Sequence, residues 1–286
     1  MGKRTDIQWA DSALNLIVGC DSPCEIAERC YARRLVERFA GQPGWPARFE
    51  RPKLFPDRLA AALCWPDLTG SDRPEKPWLD GMPRLVFVND LAETFGPWIA
   101  GYLSLLGKLF ARMGESPHVW ILLTKQPEEM REFAEWWQRQ CADSWPRNIW
   151  CGVSITSPDT LWRAEVLHAI PSYRRILSVE PLTRRTSLYR ALNFEPLSKW
   201  VIVGGESGHH AKSCHRGWIR EIVNECDECR VPCFVKQLGS HSFGDFDQRR
   251  FADPKGGDWD EWPRDLRVRQ MPLSAAELEA KTWIGS

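Results

Sequence analysis

Residues 119–140 read VWILLTKQPEEMREFAEWWQRQ. The first five, Val119 to Leu123, are apolar without interruption, the pattern of a strand covered on both faces, as in a parallel sheet. From Glu128 to Gln140 the apolar residues Met130, Phe133, Ala134 and Trp137 fall three or four apart, the stripe of a helix that lies on such a sheet. Between the two stand Thr124 and Lys125, polar residues at the C-terminal end of the strand. The same unit recurs along the chain. Leu85 to Val88, Ile149 to Val153, Ile176 to Val179, Trp200 to Val203 and Val231 to Val235 predict five more strands, and Leu14 to Val18 a weaker seventh. Helical spacing marks Ile99 to Met113, Pro158 to His168 and Gly217 to Cys226.

Strands and helices in alternation make either a doubly wound sheet or a β/α barrel. The strand ends favour the barrel. Asn89-Asp90, Thr124-Lys125, Ser154, Glu180, Glu206-Ser207 and Lys236-Gln237 each follow a strand, and a barrel brings such positions together on one rim. Solvation alone would end strands in polar residues, but two carboxylates, two lysines and an Asn at equivalent places exceed that need. The expected fold is α/β: a single, partial, TIM-like β/α barrel of six or seven strands over residues 1–239, with an irregular tail over 240–286 packed on it. The proline-rich stretch Pro66 to Pro83 predicts an exposed, mobile insertion before the second strand, and Ser240 to Pro263 a loop able to fold over the barrel mouth.

Composition narrows the function classes. With 286 residues, 43% apolar and 27% charged, the chain is neither disordered, collagenous nor a coiled coil. Its 38 basic residues balance 38 acidic ones, so no global field draws it to nucleic acid or to an anionic membrane. No run is long enough to span a bilayer, and Leu14 to Gly19 is too short for a secretory core, so a cytoplasmic location is expected. Ten cysteines in that reducing setting read as metal ligands or packing groups rather than bridges.

Cys20, Cys24 and Cys30 lie within eleven residues, in a loop after the first candidate strand. Thiolates so close suit a soft metal or an iron–sulfur cluster, although unrelated core or surface thiols would share the spacing. Positions 24 and 30 of one helix would point about 240° apart, so the loop stays non-helical until near Cys30 and a helix follows from about Tyr31 to Phe39. Three ligands on a four-iron cluster leave one iron open. Cys226, Cys229 and Cys233 form a second group with metal-compatible spacing, although Cys226 shares an apolar helix face with Ile219 and Ile222. His209, His210, Cys214 and His215 have zinc-binding types, with a solvated loop or a proton donor at His215 as competing readings. Cys64, Cys141 and Cys151 stand alone and read as packing groups.

The segments TDIQWADSALNLIVGCDSPCEIAERCYA at 5–32, VFVND at 86–90, LLTKQPEEM at 122–130, LSVEPL at 177–182, WVIVGGESG at 200–208, VPCFVKQLG at 231–239 and KGGDWDEWPRDLRVR at 255–269 resemble the phage Gp37/Gp68 family, described as three-Cys-motif, radical-SAM-like proteins. The resemblance runs in order over nearly the whole chain. It implies a radical S-adenosylmethionine enzyme whose [4Fe-4S] cluster sits on Cys20, Cys24 and Cys30, with the fourth iron chelating the cofactor. Family members place the middle cysteine three residues before the last. Here that site is Ala27, and Cys24 lies three residues earlier, so either the loop is reshaped or the cluster is weakened or lost.

The resemblance further implies cofactor contacts at Glu180 and Glu206, whose carboxylates suit an ammonium or ribose hydroxyls, and at Tyr31 near the cluster or adenine. Asn89, Asp90, Thr124, Ser154 and Ser207 offer further hydrogen bonds, Lys125 or Lys236 would hold an anionic substrate, and His215 would serve as a proton donor. Either glutamate could instead pair with a rim lysine. A flavodoxin- or ferredoxin-like protein would supply electrons. The substrate is open: a nucleotide or nucleic acid suits such an enzyme, while the neutral net charge argues against tight nonspecific DNA binding. Two other classes compete: a metal-binding structural or regulatory barrel without radical chemistry, and a metal-independent hydrolase using Glu180 and Glu206 as acid and base.

Overall fold

The computed structural model describes residues 4–96, 103–140, 144–193, 199–244 and 251–284. In chain order the elements are β1 (Ser12–Leu14), β2 (Ile17–Val18), α1 (Tyr31–Arg38), β3 (Lys53–Leu54), α2 (Asp57–Leu63), β4 (Leu85–Val88), α3 (Leu103–Gly114), β5 (Val119–Thr124), α4 (Pro127–Gln140), β6 (Ile149–Ser154), α5 (Trp162–His168), β7 (Arg175–Val179), α6 (Tyr189–Leu192), β8 (Lys199–Gly204), β9 (Cys214–His215), α7 (Arg216–Glu228), β10 (Cys233–Gln237), β11 (Ser242–Phe243) and α8 (Ala275–Ala280). The fold is mixed α/β. Seven strands form one sheet in the order β1-β4-β5-β6-β7-β8-β10, and the pairings β1–β4, β4–β5, β7–β8 and β8–β10 are parallel.

The apolar runs became strands because both of their faces are covered: every residue of β6 and β8 is buried. The tryptophan excess goes into this core, since Trp120, Trp150 and Trp200 are fully buried in β5, β6 and β8. Each indole N–H still finds an acceptor, Trp120 on Met113 O at 3.0 Å, Trp150 on Arg147 O at 3.1 Å and Trp200 on Gln270 O at 3.0 Å, so burial leaves no polar penalty.

Three expectations change. Leu14 to Val18 is not one strand: β1 joins the main sheet, whereas β2 turns away and pairs antiparallel with β3. The strand expected from Val231 starts at Cys233, after Val231 and Pro232 close the preceding turn. The helix expected from Ile99 is seen from Leu103, with 99–102 outside the described residues.

The chain divides into two compact units, Met1–Cys151 with Ala169–Tyr173 and Leu273–Ser286, and Gly152–His168 with Arg174–Pro272. In the first, the stretch Pro66 to Pro83 is largely exposed, as expected, and side-chain bonds tie it to the rest of the unit. Arg73, nearly buried, pairs with Asp11 at 3.2 Å and donates to the carbonyls of Ser71 and Met82 at 2.7 Å. Lys76 Nζ caps the carbonyls of Thr5, Ile7 and Ala10 at 2.7–2.8 Å, and Trp78 Nε1 donates to Gln8 O at 2.7 Å. With the Leu68 and Pro83 carbonyls included, two cations satisfy seven carbonyls, which lets an irregular, proline-rich segment pack without a ladder of its own.

His118, just before β5, is fully buried in this unit. Burial first, and the Arg84 charge second, hold its imidazole below the ordinary 6.5. The folded chain therefore disfavours the imidazolium, while the unfolded chain takes up a proton below about 6.5. Stability is expected to fall with pH from there, by up to about 1.4 kcal/mol per pH unit. Urea midpoints at pH 7.5 and 5.5 check this. The difference between them should shrink in His118→Gln, and an unchanged difference would assign the acid sensitivity to other groups.

In the second unit the tail lies along the sheet edge. Val235 N donates to Val268 O at 2.8 Å, Gln270 N to Cys233 O at 2.9 Å, and Leu238 N to Gly256 O at 2.8 Å. These bonds cover β10, an edge strand that would otherwise present unpaired backbone.

Candidate functional site

The cysteine loop belongs to the first unit, and its start is rigidly placed. Gly19 has φ 97°, and a Cβ there would stand 2.7 Å from Phe49 O, so only glycine lets the chain through. Gly19 N donates to Leu91 O at 3.2 Å and Cys20 N to Phe49 O at 2.8 Å, which clamps Cys20 between two segments. After a 3₁₀ turn, Ala27–Arg29, Cys30 stands at the N-cap of α1, as the helical geometry required. Cys20 and Cys30 pack on the same apolar group, Val18, Ala32, Val36, Phe49 and Leu91.

Burial pushes the Cys20 thiol up; the backbone N–H of Ser22 opposes this, and the Glu93 charge adds to it. Burial likewise raises the Cys24 thiol, with Lys125 close enough to pull it down and Cys30 close enough to push it up. Gln126 Nε2 donates to Pro23 O at 2.9 Å, tying the loop to the end of β5. Donor chemistry and surroundings fit a soft metal cluster: three partly buried thiols, two of them on one apolar wall, with backbone N–H groups of Ser22 and Glu93 at the Cys20 sulfur. Among the described residues, no group of three His, Cys, Asp or Glu side chains stands ready around a single metal ion.

Around this loop the strand ends of the first unit gather Asn89, Asp90, Thr124 and Lys125. Most of their polar groups are already committed to holding the loops. Asn89, with φ 61°, accepts from Ile17 N and donates to Thr94 Oγ1, both at 2.9 Å. Asp90 accepts from Asn15 Nδ2 at 2.5 Å, and Tyr31 OH donates to the Asp90 carbonyl. Desolvation raises the Asp90 carboxyl above its ordinary value.

Sequence reasoning missed Glu93. Its buried carboxylate accepts from Thr124 Oγ1 at 2.6 Å, Lys125 N at 2.9 Å and Phe95 N at 3.2 Å, joining the loops after β4 and β5 beside Cys20. The signal is the polar run Asn89-Asp90-Leu-Ala-Glu93-Thr94, which continues past the strand-end pair Asn89-Asp90.

The remaining site residues belong to the second unit. Glu180, joined to Pro181 by a cis peptide, forms an ion pair with Lys236, so the alternative of a rim pairing holds for this glutamate. Ser154 is buried at the end of β6, and its carbonyl accepts from Arg163 Nη1 at 2.8 Å. Glu206 accepts from Lys212 N at 2.9 Å, with Ser207 beside it on the loop after β8. The glycines before Glu206 are needed for close approach, since a Cβ on Gly205 would meet Leu238 O at 2.3 Å. His215 serves the structure: its Nδ1 accepts from Gly217 N at 3.0 Å and caps α7, and its ring lies 4.8 Å from that of Phe243.

Neither of the other metal-like groups forms a three-ligand set among the described residues. His209 and His210 are exposed, whereas Cys214 is buried, its thiol pushed up to about 12 by desolvation. Cys151 is buried as expected; Cys64 is exposed, contrary to its reading as a packing group, and Cys141 lies outside the described residues. Also among the described residues, no helix is long and apolar enough to cross a membrane.

No curated protein and no solved structure matches the chain. Residues 4–272 match the family model described as "Protein of unknown function (DUF5131)", nearly the full span that carries these loops and strand ends, and the chain belongs to that family.

Proposed function

We propose that the chain is a cytoplasmic radical-S-adenosylmethionine enzyme built on a partial β/α barrel. The observation that carries the reading is the cysteine loop: three thiols within eleven residues, two of them on one apolar wall, beside the polar ends of β4 and β5. A [4Fe-4S] cluster there would supply one-electron cleavage of the bound cofactor's sulfonium and hydrogen-atom abstraction from a substrate. Cys20, Cys24 and Cys30 would hold it. The chain's own residues orient and shield: Glu93 fixes the loops after β4 and β5, backbone N–H groups at Cys20 would stabilise a thiolate, and Tyr31 closes on the Asp90 carbonyl. Asp90 is retained as a cofactor contact, and Lys125 as a contact for an anionic substrate such as a nucleotide. Glu180 and Lys236, already paired, would first have to separate. A flavodoxin- or ferredoxin-like protein is the proposed electron donor.

A second reading, a metal-binding barrel without radical chemistry, is favoured by the cysteine placed at 24 while Ala occupies 27. Anaerobic reconstitution with iron and sulfide separates the two. The enzyme should hold about four irons per chain and, once reduced, release methionine from S-adenosylmethionine. Metal without cleavage supports the second reading, and failure to retain iron overturns both.

A further inference from the structure

Charge is unevenly placed along this chain. Residues 29–58 hold eight basic side chains against three acidic ones, a net of +5, whereas the whole chain balances 38 against 38 and its remainder is therefore net −5. The fold keeps that segment together on the first unit. Helix α1 buries Ala32 and Val36, and the chain after it doubles back: Arg33 pairs with Glu50 and lies 4.7 Å over the ring of Phe49. Arg58 fastens the intervening loop, donating to Gly44 O and Asn15 O, both at 2.6 Å, and in β3 Lys53 stands opposite Val18.

Two features of this stretch serve no evident structural need. First, Arg34, Arg38, Arg48, Arg51 and Lys53 are exposed and form no ion pair among the described residues, while Glu37 and Glu50 both go to Arg33. Positions 34 and 38 share one side of α1, and a turn closed by Arg51 N on Arg48 O at 3.2 Å brings 48 and 51 together. Second, rings lie among the cations. Phe39 and Trp45, both partly exposed, stack with centroids 4.9 Å apart, and the Arg38 guanidinium lies 5.4 Å over Phe39. Lys53 and Arg58 lie 5.3 and 3.8 Å over Phe55, also partly exposed.

We propose that this surface of the first unit binds single-stranded nucleic acid. Guanidinium groups that no carboxylate occupies suit phosphates, which they can meet with two N–H groups at once. Partly exposed rings suit bases, whose π-faces are open only in a single strand. A duplex hides those faces, and an anionic bilayer needs apolar side chains that project from the surface, whereas these rings lie under cations. The carboxylates of Asp21, Glu25 and Glu28 in the preceding loop bound the surface on the cysteine side. Because the chain as a whole is neutral, the attraction comes from this patch and not from an overall field.

Fluorescence anisotropy of the full-length protein with a labelled strand of about 15 thymidines tests this. Expected is a dissociation constant of about 1–10 µM at about 50 mM salt. With about four phosphates engaged, at a slope of about −0.7 each, raising the salt to about 200 mM should weaken binding about fiftyfold. The variant Arg34→Gln/Arg38→Gln/Arg48→Gln/Arg51→Gln should bind at least about tenfold more weakly. A control removes equal charge from the second unit: Arg184, Arg185, Arg190 and Arg220, each in an ion pair, changed to Gln together should leave binding within about twofold. If the patch variant does not melt cooperatively, its four single substitutions replace it, each expected to cost about twofold. No saturable binding of the strand, equal losses in the patch and control variants, or unchanged binding in all four singles would overturn the proposal. So would a duplex of the same length, or phosphatidylserine vesicles, bound as tightly as the strand. The readout needs neither iron nor S-adenosylmethionine, so its failure and the failure of the radical-enzyme reading are distinguishable.

Discussion

Cys30→Ala protein, reconstituted without oxygen, is expected to retain under about a tenth of the wild-type iron while its circular dichroism stays unchanged. Three thiolates are the minimum that holds a four-iron cluster with one open corner, and two leave half the irons without a protein ligand. The fold should tolerate the change, because Cys30 lies only partly buried at the N-cap of α1 and makes no side-chain capping bond there. Cys24→Ala should lose iron to the same extent. That variant is the sharper test: unchanged iron in Cys24→Ala, beside a loss in Cys20→Ala and Cys30→Ala, would remove the displaced cysteine from the ligand set. Iron content by colorimetric assay and the visible absorbance of the cluster both report it.

The second large effect concerns stability. Arg73→Ala is expected to lose about 3–5 kcal/mol by urea denaturation, far more than a surface arginine would. Its guanidinium and the Asp11 carboxylate are each more than nine-tenths buried, 3.2 Å apart, and the same guanidinium serves the carbonyls of Leu68, Ser71 and Met82. Without it, Asp11 keeps the N–H of Leu85 at 2.9 Å but loses its paired cation. A buried carboxylate so left is costlier than a pair removed whole. The double variant Arg73→Met/Asp11→Asn should therefore recover a good part of the loss. If it is no more stable than Arg73→Ala, the carbonyls rather than the charge set the cost.

Arg73 also shows what local composition leaves out. Pro66 to Pro83 has the composition of a loose loop, and composition reports local preference only. What holds the stretch are side chains reaching to residues 5–11 and 82, partners decided by the fold. Leu14 to Val18 misled for a related reason: the run fits one strand, but Asn89 intrudes to accept from Ile17 N and turns the second half toward β3.

The candidate site was partly legible. The loop cysteines, the non-helical path before Cys30 and the polar strand ends could be read directly, since each depends on spacing or on periodicity. That Asn89, Thr124 and His215 spend their polar groups on the protein's own backbone and loops could not, because a side chain's type does not reveal its partner. Glu93 was invisible for the same reason: a glutamate just past the strand-end pattern reads as solvated until Thr124 and Lys125 are seen to meet it.

By itself, then, the order of residues determined the alternation of strand and helix, the parallel pairing and the loop that carries three thiols. Uninterrupted apolar runs can only be buried, and the 3.6-residue period can only be a helix, whatever surrounds them. Tertiary structure alone decided which polar groups meet: Arg73 with Asp11, Glu93 with Thr124, Glu180 with Lys236. Hydrogen bonds and ion pairs act over a few ångströms and need their partners brought within reach, and only the folded chain brings together residues that lie thirty-one to sixty-two positions apart.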